Sequence, residues 1–137
     1  MKGFTLIELL VVMAILGILS VIGFGSFQSA RIKAQDAKTK SDLAQVAKSL
    51  EAYQNDHRTY PTTDLTWGAA FTDGTTIYFA KLPEAPTGNY YYASDGTGFT
   101  LYGRLQNSDD PAIEVFDPPI DCGTVVCNYK ITSSNLP

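Results

Sequence analysis

From Phe4 to Phe24 the chain reads FTLIELLVVMAILGILSVIGF, apolar on every helical face and interrupted by a single charge, Glu8. At about 1.5 Å per residue this run covers roughly 30 Å, the thickness of a bilayer's hydrocarbon core. After Phe27 the pattern changes. Charges alternate with Ala30, Ala34 and Ala37, and then Leu43, Val46, Ala47, Leu50 and Tyr53 recur at spacings of three and four. Such spacing places them on one face of a helix. No proline lies between Phe4 and Asn55. The pattern therefore predicts one continuous helix of about 50 residues, apolar all round in its first half and amphipathic in its second. The amphipathic half needs a cover for its stripe, and the rest of the chain is the natural cover.

Beyond Tyr60-Pro61 the periodicity shortens. All seven prolines lie from Pro61 onward, and turn signals recur at Asp73-Gly74, Thr87-Gly88-Asn89, Asp95-Gly96, Asp109-Asp110-Pro111 and Asp117-Pro118-Pro119. Between them sit β-like runs: Thr75 to Phe79, Asn89 to Ala93, Phe99 to Leu105 and Val125 to Ile131. Tyr90 to Ala93 and Phe99 to Leu105, joined by Ser94-Asp95-Gly96-Thr97-Gly98, read as an antiparallel hairpin. In its second strand Phe99, Leu101 and Gly103 share one face, opposite Thr100, Tyr102 and Arg104. The fold class is α+β: a long N-terminal helix packed against a small antiparallel sheet that buries both partial cores. No internal repeat or low-complexity tract is present.

Composition changes this picture in two ways. A length of 137 residues suits one domain and an anchor, and the near-zero mean hydropathy hides how far the apolar residues crowd to one end. The distal core must then be small. Charge is also divided. From Gln28 to Tyr60 six basic residues (Arg31, Lys33, Lys38, Lys40, Lys48, Arg58) face four acidic ones, net +2, whereas from Pro61 onward three basic and nine acidic residues give net −6. An acidic outer portion argues against nucleic acid as its default partner, without excluding a local basic patch. The only cysteines, Cys122 and Cys127, enclose four residues and lack the further ligands of a zinc site. A disulfide is expected, placing this end in an oxidising compartment, and in the chain-entropy model so short a loop contributes roughly 2 kcal/mol.

The N-terminus, Met1-Lys2-Gly3-Phe4-Thr5-Leu6-Ile7-Glu8, carries the most specific signal. An ordinary signal peptide is cut after its apolar region, and Ser20, Gly23, Gly25 or Ser26 would have to serve; the run is long for that and continues into helix without a break. The other plain reading is an uncleaved anchor. Glu8 separates these from a third reading, because a carboxylate is costly inside an isolated anchor. A subunit that bundles with its copies has a use for it when a cation waits on the neighbouring helix, and an α-amine freed at Phe4 is such a cation. Lys2-Gly3-Phe4-Thr5-Leu6-Ile7-Glu8-Leu9-Leu10 closely resembles the class III signal of type IV pilins and type II secretion pseudopilins. The resemblance implies cleavage after Gly3 by a membrane prepilin peptidase, N-methylation of Phe4, and a need for Glu8 in assembly. It divides the chain into a leader (1–3), a transmembrane and filament-core helix (4–27), an amphipathic stem (28–60) and a head completed by residues 61–137, the pilin fold.

A softer resemblance covers Ser49 to Thr63, SLEAYQNDHRTYPTT, and Leu82 to Tyr92, which look like the helix end and sheet lead-in of major pseudopilins and of pilins of similar size. Two features depart. Many pilins kink the first helix with a proline near the position of Gly25, whereas here Gly17, Gly23 and Gly25 stand in a proline-free run that leaves local melting on assembly open. The cysteine pair departs from the major pseudopilin pattern and leans toward a pilin. Because the resembling pseudopilins bind calcium near the C-terminus, Asp109, Asp110, Asp117 and Asp121 are calcium candidates, set against a plain solvated loop. No other cofactor is expected.

The remaining features favour bland readings. His57 has no nucleophile marked as its partner, so a solvated helix end is expected and no enzymatic role. Tyr90-Tyr91-Tyr92 fits strand alternation better than an adhesive or conducting patch. One tension stands: Arg31, Lys33, Lys38 and Lys40 follow the apolar run, which by charge bias alone would hold the head in the cytoplasm, while the cysteines and the resemblance place it outside. The expectation is a single-pass subunit of the inner membrane, head outward, which polymerises with itself. The membrane is its reservoir, and an assembly platform and ATPase extract it. A type IV pilus (adhesion, motility, DNA uptake) is narrowly favoured over a periplasmic secretion pseudopilus. The alternative of another class is a tethered, non-polymerising module that binds calcium or another ligand.

Overall fold

A computed structural model of the chain describes residues 3–134, without the side chains of residues 22–25. The expectations attached to Met1, Lys2 and residues 135–137 lie outside the described residues, as do the side-chain surroundings of Gly23 and Gly25. One helix, α1, runs unbroken over Leu6–His57. Five strands follow: β1 Phe71–Asp73, β2 Thr76–Phe79, β3 Tyr91–Ser94, β4 Phe99–Gly103 and β5 Tyr129–Thr132. The chain divides into two compact units at Ala34 and Gln35, and α1 contributes to both.

The first unit is helix without a core. Leu9, Leu10, Met13, Leu16, Leu19 and Val21 are all exposed, as are Phe4 and Phe27. The Ser20 hydroxyl donates to the Leu16 carbonyl at 2.7 Å, so the one hydroxyl in the midst of this apolar stretch satisfies itself within its own helix.

The second unit supplies the cover that the amphipathic stripe requires. Leu43, Val46 and Leu50 are fully buried, and Ala47 and Tyr53 pack at the margin, as the spacing predicts. The buried row also continues toward the N-terminus through Thr39 and Asp36, both polar. Against it lie Tyr90, Tyr92, Phe99 and Leu101, with Tyr60, Leu65, Phe71 and Leu82 closing the core. On β4, Phe99, Leu101 and Gly103 point inward while Thr100 and Tyr102 are half-buried on the other face. A Cβ on Gly103 would lie 3.1 Å from Leu43 and 3.2 Å from Thr39, so the missing side chain is what lets β4 approach the helix.

Two sheets form where one was expected. β3, β4 and β5 make an antiparallel sheet in that order, with Tyr91 opposite Tyr102 and Ser94 opposite Phe99. β1 and β2 make a separate hairpin around Gly74-Thr75, with Gly74 at φ 54°. The expected run from Val125 is strand only over Tyr129–Thr132, because Cys122–Cys127 and the Asp121–Val126 bridge turn the preceding residues into a closed loop. The α1 C-terminus is set by Arg58 at φ 63°, the left-handed stop that precedes Tyr60-Pro61. Tyr60 then plugs the core, its N–H donating to Gly96 O at 2.9 Å and its hydroxyl to Glu51 at 2.9 Å. Burial, with Glu51 beside it, pushes that hydroxyl's pKa up to about 12.

Candidate functional site

The N-terminal site is built by a helix start. Gly3, Phe4 and Thr5 precede α1, and Phe4 is 85% exposed. The Gly3–Phe4 bond thus lies outside helical structure, and a Cβ built on Gly3 would meet nothing within 4 Å. Thr5 caps the helix. One Glu8 oxygen accepts from the Thr5 N–H at 2.8 Å and from the Thr5 hydroxyl at 2.8 Å, while the Glu8 N–H reaches the Thr5 hydroxyl oxygen at 3.4 Å. This is the reciprocal capping box, in which the first-turn acid also complements the helix dipole. In this chain, with Gly3 still attached, the Phe4 nitrogen is an amide, and Glu8 is held by Thr5. The Thr-x-x-Glu spacing announces such a box, and Thr5 is the site residue that the apolar reading of this stretch passes over.

At the acid-rich end the structure separates the calcium candidates. Asp110 is taken by Lys40, at 2.7 Å to both carboxylate oxygens, and also accepts from the Ala112 N–H at 3.0 Å. The hydrogen bond from Lys40 holds the Asp110 carboxyl below its usual range, aided by Ala112. Asp109, Asp117 and Asp121 are exposed, and no three acidic, histidine or cysteine groups among the described residues gather as a metal would need. Of the two readings offered for these four carboxylates, a calcium site and a plain solvated loop, the described geometry is that of the loop, which spreads its carboxylates instead of converging them.

The loop that carries Asp109 and Asp110 is pinned from the helix. Buried Asp36 accepts the Gln106 N–H at 2.7 Å with one oxygen and the Asn107 N–H at 2.8 Å with the other. Asn128 then extends β4 by side chain, accepting from Leu105 N at 2.7 Å and donating to Leu105 O at 3.0 Å. Cys122 and Cys127 are bonded to each other and buried. His57, in the last turn of α1, is exposed, yet it stacks on Tyr53 at 4.2 Å and lies 3.1 Å from Asp73. Tyr90 and Tyr92 are buried and Tyr91 is exposed, the alternation expected of a strand.

Comparison with known proteins adds the second line of evidence. Residues 1–24 match the family described as the prokaryotic N-terminal methylation motif. The type II secretion system core protein G of Vibrio cholerae serotype O1 is 35% identical over 109 residues, covering 72% of this chain and 75% of that protein. The protein of the same description from Pseudomonas aeruginosa is 34% identical over 129 residues, 81% of this chain and 91% of its own length. That of Escherichia coli K12 is 30% identical over 120 residues, 80% of this chain and 82% of its own. No solved structure matches the chain.

Proposed function

Because the chain belongs to the type II secretion core protein G family, within the wider group of type IV pilins and pseudopilins, we propose that it is the repeating subunit of a secretion pseudopilus. The observation that carries this reading is the reach of the similarity. The N-terminal motif ends at residue 24 and is shared by filament subunits generally, whereas the Pseudomonas aeruginosa relative aligns over 129 residues, head included. The narrow preference for a pilus gives way on that point. The cysteine pair that leaned toward a pilin closes only a local loop and leaves the core to other residues.

In this reading α1, long and apolar enough to cross a membrane, holds the subunit in the inner membrane with its head in the periplasm. A prepilin peptidase cuts between Gly3 and Phe4 and methylates Phe4. An assembly platform driven by an ATPase lifts subunits out, and their helices bundle while the heads form the filament surface. The side chains exposed along the first unit are then covered twice, by lipid before assembly and by other copies after it. Glu8 exchanges its Thr5 partner for the Phe4 amine of a neighbour. The protein is structural and catalyses nothing itself.

The test is a strain lacking this chain. Secreted proteins should accumulate in its periplasm, and the mature chain from wild-type cells should begin at Phe4 with one added methyl. Normal secretion with loss of surface fibres would return the protein to the pilus class. A mature terminus after Ser20 or Ser26 would restore the ordinary signal peptide.

A further inference from the structure

Four basic residues follow the apolar run, and two of them are neutralised inside the second unit: Lys38 pairs with Asp42, and Lys40 with Asp110. Arg31 and Lys33 remain. Both are exposed, and neither makes an ion pair among the described residues. The nearest carboxylate that follows them in the chain, Asp36, has both oxygens occupied by the Gln106 and Asn107 N–H groups. Residues two apart on a helix point roughly 200° away from each other, so Arg31 and Lys33 bracket α1 from two sides. Before assembly a single protein partner would dock on one face of a helix. A layer of lipid headgroups surrounds it.

Position along the axis agrees. With Glu8 at the inner boundary, the about 20 residues from Leu9 to Gln28 fill a hydrocarbon core of about 30 Å. Arg31 and Lys33 then fall roughly 5 and 8 Å beyond it, within reach of the outer headgroup layer. We propose that Arg31 and Lys33 bind the phosphates of anionic phospholipids in the outer leaflet and so set the depth of the subunit while it waits in the membrane. The guanidinium fork grips a phosphate in two places and the ammonium acts as a point charge. Leaving the membrane for a filament gives up these contacts, so the same pair tunes how readily a subunit is extracted. The inference rests on the membrane-resident reading above.

The experiment uses the full chain in vesicles of phosphatidylcholine mixed with phosphatidylglycerol. Flotation scores insertion, and mass spectrometry of the gently solubilised protein scores the lipids retained. The wild type should float and retain phosphatidylglycerol in preference. Arg31→Gln/Lys33→Gln should float equally and lose about tenfold of that preference, whereas Lys48→Gln/Lys81→Gln, exposed and matched in charge, should keep it. An unchanged preference in the first variant, or equal loss in the second, overturns the proposal. Retained lipid preference with failed polymerisation also overturns it and assigns the pair to a neighbouring copy. A chain that does not float removes the membrane reading and the proposal together.

Discussion

Leucines in the two units meet opposite fates. Leu9, Leu16 and Leu19 lie in a stretch where every apolar side chain described is exposed, whereas Leu43, Leu50 and Leu101 are sealed in a core. Leu9, Leu16 and Leu19 share α1 with Leu43 and Leu50, and their fates differ because only the second unit has strands, with Leu101 among their residues, to lay over its part of the helix. In the proposed reading the first unit borrows cover from lipid or from other copies, so its exposed face serves assembly. Polar groups divide likewise: Asp36 and Asp42 serve contacts within the head, while Glu8, among the described residues, is held by a local cap.

The sharpest way to break this division is Glu8→Ala. It should leave the melting temperature of the second unit unchanged while filament yield, at matched membrane levels, falls at least about tenfold, since a small loss per contact multiplies along a polymer. Thr5→Ala isolates the other role of Glu8. It removes the cap, worth about 1 kcal/mol of helix stability, and keeps the carboxylate. Equal fibre loss in the two variants would mean that Glu8 acts through capping alone.

Leu50→Ala tests the other side. Emptying a fully buried site should cost about 2–5 kcal/mol. Thermal unfolding of the full chain in detergent, followed by near-ultraviolet circular dichroism, should show a large drop, with the helical signal of the first unit surviving above that transition. Joint loss of both signals would show that the units unfold as one.

Asp36→Ala should come next. It strands the Gln106 and Asn107 N–H groups and should cost about 1–3 kcal/mol. Hydrogen exchange should localise the damage to residues 105–112. Exchange rising evenly over β3 and β4 instead would make Asp36 a general core residue.

How much of this was legible follows from where the pattern is redundant. Leu43, Val46, Leu50 and Tyr53 repeat one spacing over several turns, so α1 and its buried face could be read directly. The β3–β4 hairpin was equally plain, because Phe99, Leu101 and Gly103 alternate and Asp95-Gly96 marks the turn. Asp36 and Thr39 occupy the same helical row but are polar, and hydropathy alone stops the row at Leu43. β1 is three residues long and carries no alternation to detect. Thr5 was readable from its spacing to Glu8, yet the surrounding apolar run overshadowed it. The carboxylates at 109, 110, 117 and 121 are close in sequence, and only the fold shows that Lys40 claims one while the others diverge.

The smallest expected effect concerns that ion pair. Lys40 holds the Asp110 carboxyl below its ordinary range, with help from the Ala112 N–H. A carboxyl whose pKa is lower folded than unfolded adds stability that is fully present above its unfolded value and is lost as pH falls through its folded value. The window therefore opens near the usual aspartate range, about pH 4, and extends to more acidic values. Lys40→Met removes the largest cause of the lowering while keeping an unbranched side chain beside Tyr129. Near neutral pH the variant should melt slightly below the wild type. As pH drops through the window the two melting curves should converge, because the wild type is losing what the variant never had. Partial exposure of Lys40 also makes the neutral-pH gap shrink with added salt. A gap that stays constant into acid would assign the Lys40 contribution to its packing over the Tyr129 ring, which lies 6.0 Å from its ammonium and does not change charge in that range.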